Sequence, residues 1–139
     1  MNTKTQNEYL LLFRGTDWHK GLSPEQIQTV MNQWKAWYDR LCEQGKVKGG
    51  HPLEKESKIV SGKKGRIVAD GPYAESKEAV GGYFLLQVAN FDEAVAIAKD
   101  CPGLEYGAIV EVRPIAEVCP MAKCAEQAQE ETELPTPER

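Results

Sequence analysis

Val80-Gly81-Gly82-Tyr83-Phe84-Leu85-Leu86-Gln87-Val88-Ala89 is the stretch on which the fold turns. It has few polar positions on either side of a two-residue repeat, the pattern of a central strand covered on both faces. Gly81-Gly82 lies inside the run, where small residues let a neighbouring backbone or ring come close. Upstream, Tyr9-Leu10-Leu11-Leu12-Phe13 is short, aromatic and branched. The turn-rich Arg14-Gly15-Thr16-Asp17 follows it, so it reads as a second strand buried on both faces.

Between these strands, Ser23-Pro24-Glu25-Gln26 supplies an N-cap, a proline at the first helical position and a glutamine at the third. Ile27, Val30, Met31, Trp34, Trp37, Tyr38 and Leu41 recur at spacings of three and four until Gly45, a good C′ residue. The spacing predicts a helix of about 20 residues with one apolar stripe, in which Trp34 and Trp37 serve packing and not a cofactor site. Lys46 to Ala69, with the polar turn Ser61-Gly62-Lys63-Lys64-Gly65, reads as a hairpin. A second helix is expected from near Asp92, with Ala94, Ile97, Ala98 and Cys101 as its stripe and Pro102-Gly103 as its stop. Tyr106 to Arg113 is a last strand before Pro114.

The order is β-α-β-β-β-α-β, an antiparallel sheet with two helices, an α+β sandwich of ferredoxin-like character. Two helices cover one face only. The two-sided strands therefore call for a second cover, and the simplest is another copy of the same sheet about a two-fold axis. A homodimer with face-to-face sheets is expected.

At 139 residues, 41% apolar and 27% charged, the chain suits one folded domain and is too apolar for disorder throughout. No apolar run nears the roughly 18 residues of a membrane span, and Met1 to Asn7 lacks a signal peptide's apolar stretch, so the cytoplasm is expected. Residues 117–139 hold six acids against Lys123 and Arg139, which alone equals the net charge of −4. The chain thus divides into a neutral domain, 1–116, and an acidic tail, 117–139, expected to be partly helical after Pro120 or disordered. A neutral body with an acidic tail lacks the basic face of a nucleic-acid binder, so direct nucleic-acid binding is disfavoured and the tail suits a basic protein partner. Cys42, Cys101, Cys119 and Cys124 fit neither a disulfide framework nor a zinc site, and read as structural thiols, with a regulatory Cys119/Cys124 pair as the minority reading.

Asp70-Gly71-Pro72-Tyr73-Ala74-Glu75-Ser76-Lys77-Glu78, then Gly81-Gly82-Tyr83-Phe84, then Tyr106-Gly107 and Val112-Arg113-Pro114 together resemble the YCII-related family in its DGPF-motif branch. The match spans about residues 8 to 115. Tyr73 stands where the motif has Phe, adding a hydroxyl that needs a partner if buried. The resemblance implies the dimeric α+β barrel fold. It also implies small-molecule enzymology, because that fold is similar to muconolactone isomerases and some relatives show a His-Asp pair. Other relatives occur beside or fused to extracytoplasmic-function sigma factors, which implies a role in transcription regulation.

Among residues able to carry chemistry, Asp70 sits where a strand gives way to a Gly-Pro turn. It either caps that turn through its own backbone or holds a carboxylate at a cleft mouth as general base or orienter of a histidine. His51, in Gly49-Gly50-His51-Pro52-Leu53, is either a hydrogen-bonded structural histidine or the acid/base partner of Asp70. Glu75 and Glu78 are solvated loop charges or an acid over the barrel mouth, and His19 is a loop residue near a strand end. Arg113 and Glu111 share one side of the last strand, as a surface ion pair or with Arg113 holding an anion. No metal signature and no phosphate loop is present, so neither a metal nor a cofactor is expected.

Two functions follow. The first is a cofactor-free enzyme moving protons on a small organic molecule, isomerase-like or lyase-like, with His51 and Asp70 as the pair and Tyr73, Glu75 and Arg113 binding substrate. The second is a non-catalytic dimeric ligand-binding or regulatory module working with a sigma factor.

Overall fold

The computed structural model describes residues 7–15, 17–71, 79–117 and 121. Among the described residues the main elements follow in the order β1 (Asn7–Arg14), α1 (Pro24–Glu43), β2 (Val47–Pro52), β3 (Ser57–Ser61), β4 (Ile67–Gly71), β5 (Val80–Val88), α2 (Phe91–Ala98) and β6 (Ile109–Pro114). Four strands form an antiparallel sheet in the order β2-β5-β1-β6, while β3 and β4 pair only with each other. The β2-β5-β1-β6 order with α1 and α2 is the ferredoxin-like α+β arrangement expected.

Helix α1 forms where its caps dictate. The Ser23 hydroxyl accepts from the Gln26 amide at 3.1 Å, and the Gln26 side chain accepts from the Ser23 amide at 2.8 Å. At the other end Gly45, with φ of 72°, takes the left-handed conformation that lets the chain leave the helix. Helix α2 begins a residue earlier than expected, at Phe91, because Asn90 is the N-cap, and it ends at Ala98. Cys101 lies beyond it yet is 3% exposed, and Pro102–Tyr106 turns as a 3₁₀ segment. That turn takes Tyr106 out of the last strand, which starts at Ile109.

The core fills the helix-covered side of the sheet. Tyr9, Leu11 and Phe13 of β1 and Leu86 and Val88 of β5 meet Trp37 and Leu41 of α1 and Ala94, Ile97 and Ala98 of α2. The alternate residues Leu10, Leu12, Tyr83 and Leu85 face the other way and are only half-buried, so the two-sided reading of β1 and β5 is met on one side within one chain. Ion pairs Lys48–Glu8, Arg14–Glu111 and Arg113–Glu111 surround that open face.

The hairpin reading of Lys46 to Ala69 is corrected: the segment holds three strands, not two. β2 joins the main sheet as its edge, and the hairpin proper is β3–β4. Gly49, Gly50 and Pro52 hid β2, since none favours a strand. Gly50 is there for space: a Cβ would stand 2.6 Å from the Tyr83 carbonyl oxygen and 2.8 Å from the Phe84 ring. Among the described residues no helix is long and apolar enough to cross a membrane.

Candidate functional site

β1 and β2 end where β5 begins, and at that end of the sheet a cavity of about 720 Å³ opens between the strands and α1. Phe13, Trp34, Tyr38 and Phe84 give it aromatic walls, and Gly15, Gly50, Gly81 and Gly82 leave it room. The rings are mutually braced: Phe13 meets Trp34 edge-on at 4.7 Å and Phe84 at 4.8 Å, and Tyr38 lies 4.9 Å from Phe84. α1 serves both core and cavity by spacing. Val30, Trp37 and Leu41 are buried, while the adjoining stripe of Met31, Trp34, Lys35 and Tyr38 lines the cavity. Burial, with the Cys42 thiol beside it, raises the Tyr38 hydroxyl above the usual phenol range, so it is a proton-bearing donor at neutral pH.

His51 stands directly opposite Tyr83 across β2 and β5, and its Nδ1 lies 2.7 Å from the Tyr83 hydroxyl. Both residues border the cavity, but their side chains project from the open face of the sheet with Leu12, on the side opposite Phe84 and α1. A hydrogen bond at Nδ1 fixes the ring and leaves Nε2 for another partner. With Nδ1–H donating to the tyrosine oxygen, Nε2 has a free lone pair; with the hydroxyl donating to Nδ1, Nε2 carries the proton. The pair can therefore present either a base or an acid.

The other residues singled out from the sequence lie elsewhere. Asp70 is on β4, where its carboxylate pairs with Lys58 directly across the hairpin and is 80% exposed. It does not line the cavity, and no hydrogen bond joins it to His51. The His51–Asp70 pair is not formed within the chain, because β4 belongs to the separate hairpin. Arg113 is on the open face beside Glu111 at 3.8 Å, outside the cavity. His19 sits in the turn after β1, its ring 5.9 Å from Trp18. Tyr73, Glu75, Glu78 and the tail cysteines Cys119 and Cys124 lie outside the described residues. Among the described residues no group of three or more His, Cys, Asp or Glu side chains is placed to hold a metal ion.

Tyr83, Tyr38, Trp34 and Lys35 were not read as site residues. The sequence did carry a signal for the last three: α1 has a wider apolar arc than one core stripe needs, with Lys35 set inside it. Tyr83 could be paired with His51 only once β2 was known to exist.

Comparison with known proteins places this arrangement among relatives. A solved 5-chloro-2-hydroxyhydroquinone dehydrochlorinase from Burkholderia phenoliruptrix AC1100, in complex with 2,5-dihydroxybenzoquinone, is similar over 80% of this chain and 95% of its own, with 14% identity and a TM-score of 0.42. At that distance no residue role passes from it to this chain. An uncharacterized protein of Rhizobium meliloti (strain 1021) is 43% identical over 51 residues, 36% of this chain and 41% of that protein, so the chain matches under half the length of this relative. The model of the YCII-related domain matches residues 7–119, the whole sheet and both helices, and the chain belongs to that family.

Proposed function

We propose that the chain is a cofactor-free enzyme that moves protons on a small organic molecule, with His51 as acid/base and Tyr83 as the residue that orients its ring. The observation that carries this reading is the 2.7 Å contact between His51 Nδ1 and the Tyr83 hydroxyl on the open face of the sheet, at the end where the cavity opens. His51 Nε2 takes a proton from a carbon next to a carbonyl, and the C–H electron pair moves into an enolate whose oxygen meets a donor on the same face such as Arg14. The proton returns to another carbon in an isomerase, or a group leaves the adjacent carbon in a lyase. Within the family, Asp70-Gly71-Pro72-Tyr73 supports the DGPF-motif branch.

The reading includes a homodimer. Leu10, Leu12 and Leu85 make a half-buried apolar centre on the open face, ringed by ion pairs, which is the composition of an interface with a charged rim. Light scattering at micromolar concentration should give twice the chain mass, and a single-chain mass would remove this part.

The catalytic reading is tested by proton NMR in D₂O, following loss of C–H signal next to the carbonyl in a panel of small keto acids and lactones. Wild type should exchange at least one member, His51→Gln should slow that exchange by about 10²- to 10⁴-fold, and Tyr83→Phe by less. Exchange by His51→Gln at the wild-type rate would overturn the assignment.

A further inference from the structure

The hydrogen-bonding inventory of the cavity is one-sided. Among the described residues that line it there is no Asp, Glu, Asn, Gln, Ser or Thr. The polar residues that border it are Arg14, Lys35, Lys55, His51, Tyr38, Tyr83, Trp18 and Trp34. Arginine, lysine and indole groups only donate; side-chain acceptors come from the His51 ring and the tyrosine oxygens alone. A polyol or an amine, which needs acceptors, finds few here.

The charges point the same way. Three cations line the cavity and no carboxylate does, among the described residues. Each cation has an acidic neighbour that is itself outside the lining: Glu111 at 3.1 Å from Arg14, Asp39 at 3.0 Å from Lys35 and Asp17 at 3.9 Å from Lys55. Lys35 and Lys55 are 77% and 63% exposed, as suits the mouth, whereas Arg14 is 30% exposed. The Glu111 contact uses Arg14 Nη1, leaving Nε and Nη2 outside that ion pair.

We infer that the ligand of this cavity is a flat, ring-containing anion, an aromatic or conjugated carboxylate or enolate of one or two rings. The size follows from about 720 Å³ and the preference for a ring from the aromatic wall of Phe13, Trp34, Tyr38 and Phe84. The anion is drawn in past Lys35 and Lys55 and is held by the Tyr38 hydroxyl and the indole donors. This inference rests on the same cavity as the proposed enzyme and names its substrate class.

The test is isothermal calorimetry on the full chain with four probes of similar size: benzoate, benzamide, cyclohexanecarboxylate and benzylamine. Benzoate should bind at least about tenfold tighter than each of the others, and added salt should weaken benzoate while leaving benzamide unchanged. Lys35→Met with Lys55→Met, both at exposed positions, should weaken benzoate by about tenfold and benzamide by less than twofold. Benzamide, cyclohexanecarboxylate or benzylamine binding as tightly as benzoate overturns the inference, as does failure of benzoate to bind at millimolar concentration. Calorimetry reads binding without turnover. Benzoate binding in a protein that exchanges no C–H proton therefore keeps the ligand class and removes the enzyme, and the reverse pattern does the opposite.

Discussion

Two antiparallel strand pairs in this molecule each place polar partners directly opposite one another. Across β2 and β5 the pair is His51 and Tyr83; across β3 and β4 it is Lys58 and Asp70. The local geometry is alike and the surroundings are not. The first pair stands on a four-stranded sheet beside an aromatic cavity. The second stands on a two-stranded ribbon, with Asp70 80% exposed and Val60, Ile67 and Val68 more than half exposed nearby. A cross-strand pair in open water is a weakly stabilising contact. Beside a cavity, such a pair can hold a ring in one orientation toward a bound molecule.

The contrast is sharpest in stability. Leu86 has no exposed surface and sits in the core on β5, the strand that carries Tyr83, so Leu86→Ala should cost about 2–5 kcal/mol in urea unfolding. Val60→Ser, on the ribbon, should cost within roughly 0.5 kcal/mol. Equal losses would mean that the ribbon is packed as firmly as the sheet.

A smaller effect separates two neighbouring glycines. A Cβ at Gly50 meets the Tyr83 carbonyl oxygen and the Phe84 ring, whereas one at Gly49 has nothing within 4 Å. Gly50→Ala should destabilise by about 1–3 kcal/mol and shift the Tyr83 ring resonances, and Gly49→Ala should leave both nearly unchanged. Similar behaviour of the two variants would contradict the close approach of β2 to β5.

The smallest expected effect is electrostatic. The Ala89 amide, then Lys46, holds the Glu93 carboxyl below its ordinary value of 4.5. A lowered folded-state value stabilises the fold above that ordinary value, and the gain is lost as pH falls through the lowered one. The difference in urea midpoint between wild type and Glu93→Gln should therefore be constant near neutral pH and shrink below about pH 4.5. The exposed Asp70–Lys58 pair is the comparison: Asp70→Asn should move stability by less than roughly 0.5 kcal/mol at neutral pH. A gap for Glu93→Gln that widened in acid would reverse the sign of this argument.

Much of this architecture can be read from local signals. Ser23-Pro24-Glu25-Gln26 and Gly45 mark α1 at both ends, and the run from Val80 to Val88 marks the central strand. β2 escapes because Gly50 answers to the closeness of β5, a property of the neighbour that no propensity records. The same loss hides Tyr83 as the partner of His51. Asp70 misleads for the opposite reason: its Gly-Pro neighbours announce a fixed carboxylate, but only topology reveals that the hairpin carries it away from the cavity. His51 itself is legible, since a histidine between two glycines and a proline has few roles in an ordinary edge strand.

The claim at the centre of this account is that proton transfer belongs to the cavity pair and not to the ribbon pair. The direct measurement is C–H exchange in D₂O with one responsive carbonyl compound, run side by side for His51→Gln and Asp70→Asn. The account predicts a loss of at least about 10²-fold for His51→Gln and less than about twofold for Asp70→Asn. A large loss for Asp70→Asn with His51→Gln still active would contradict it.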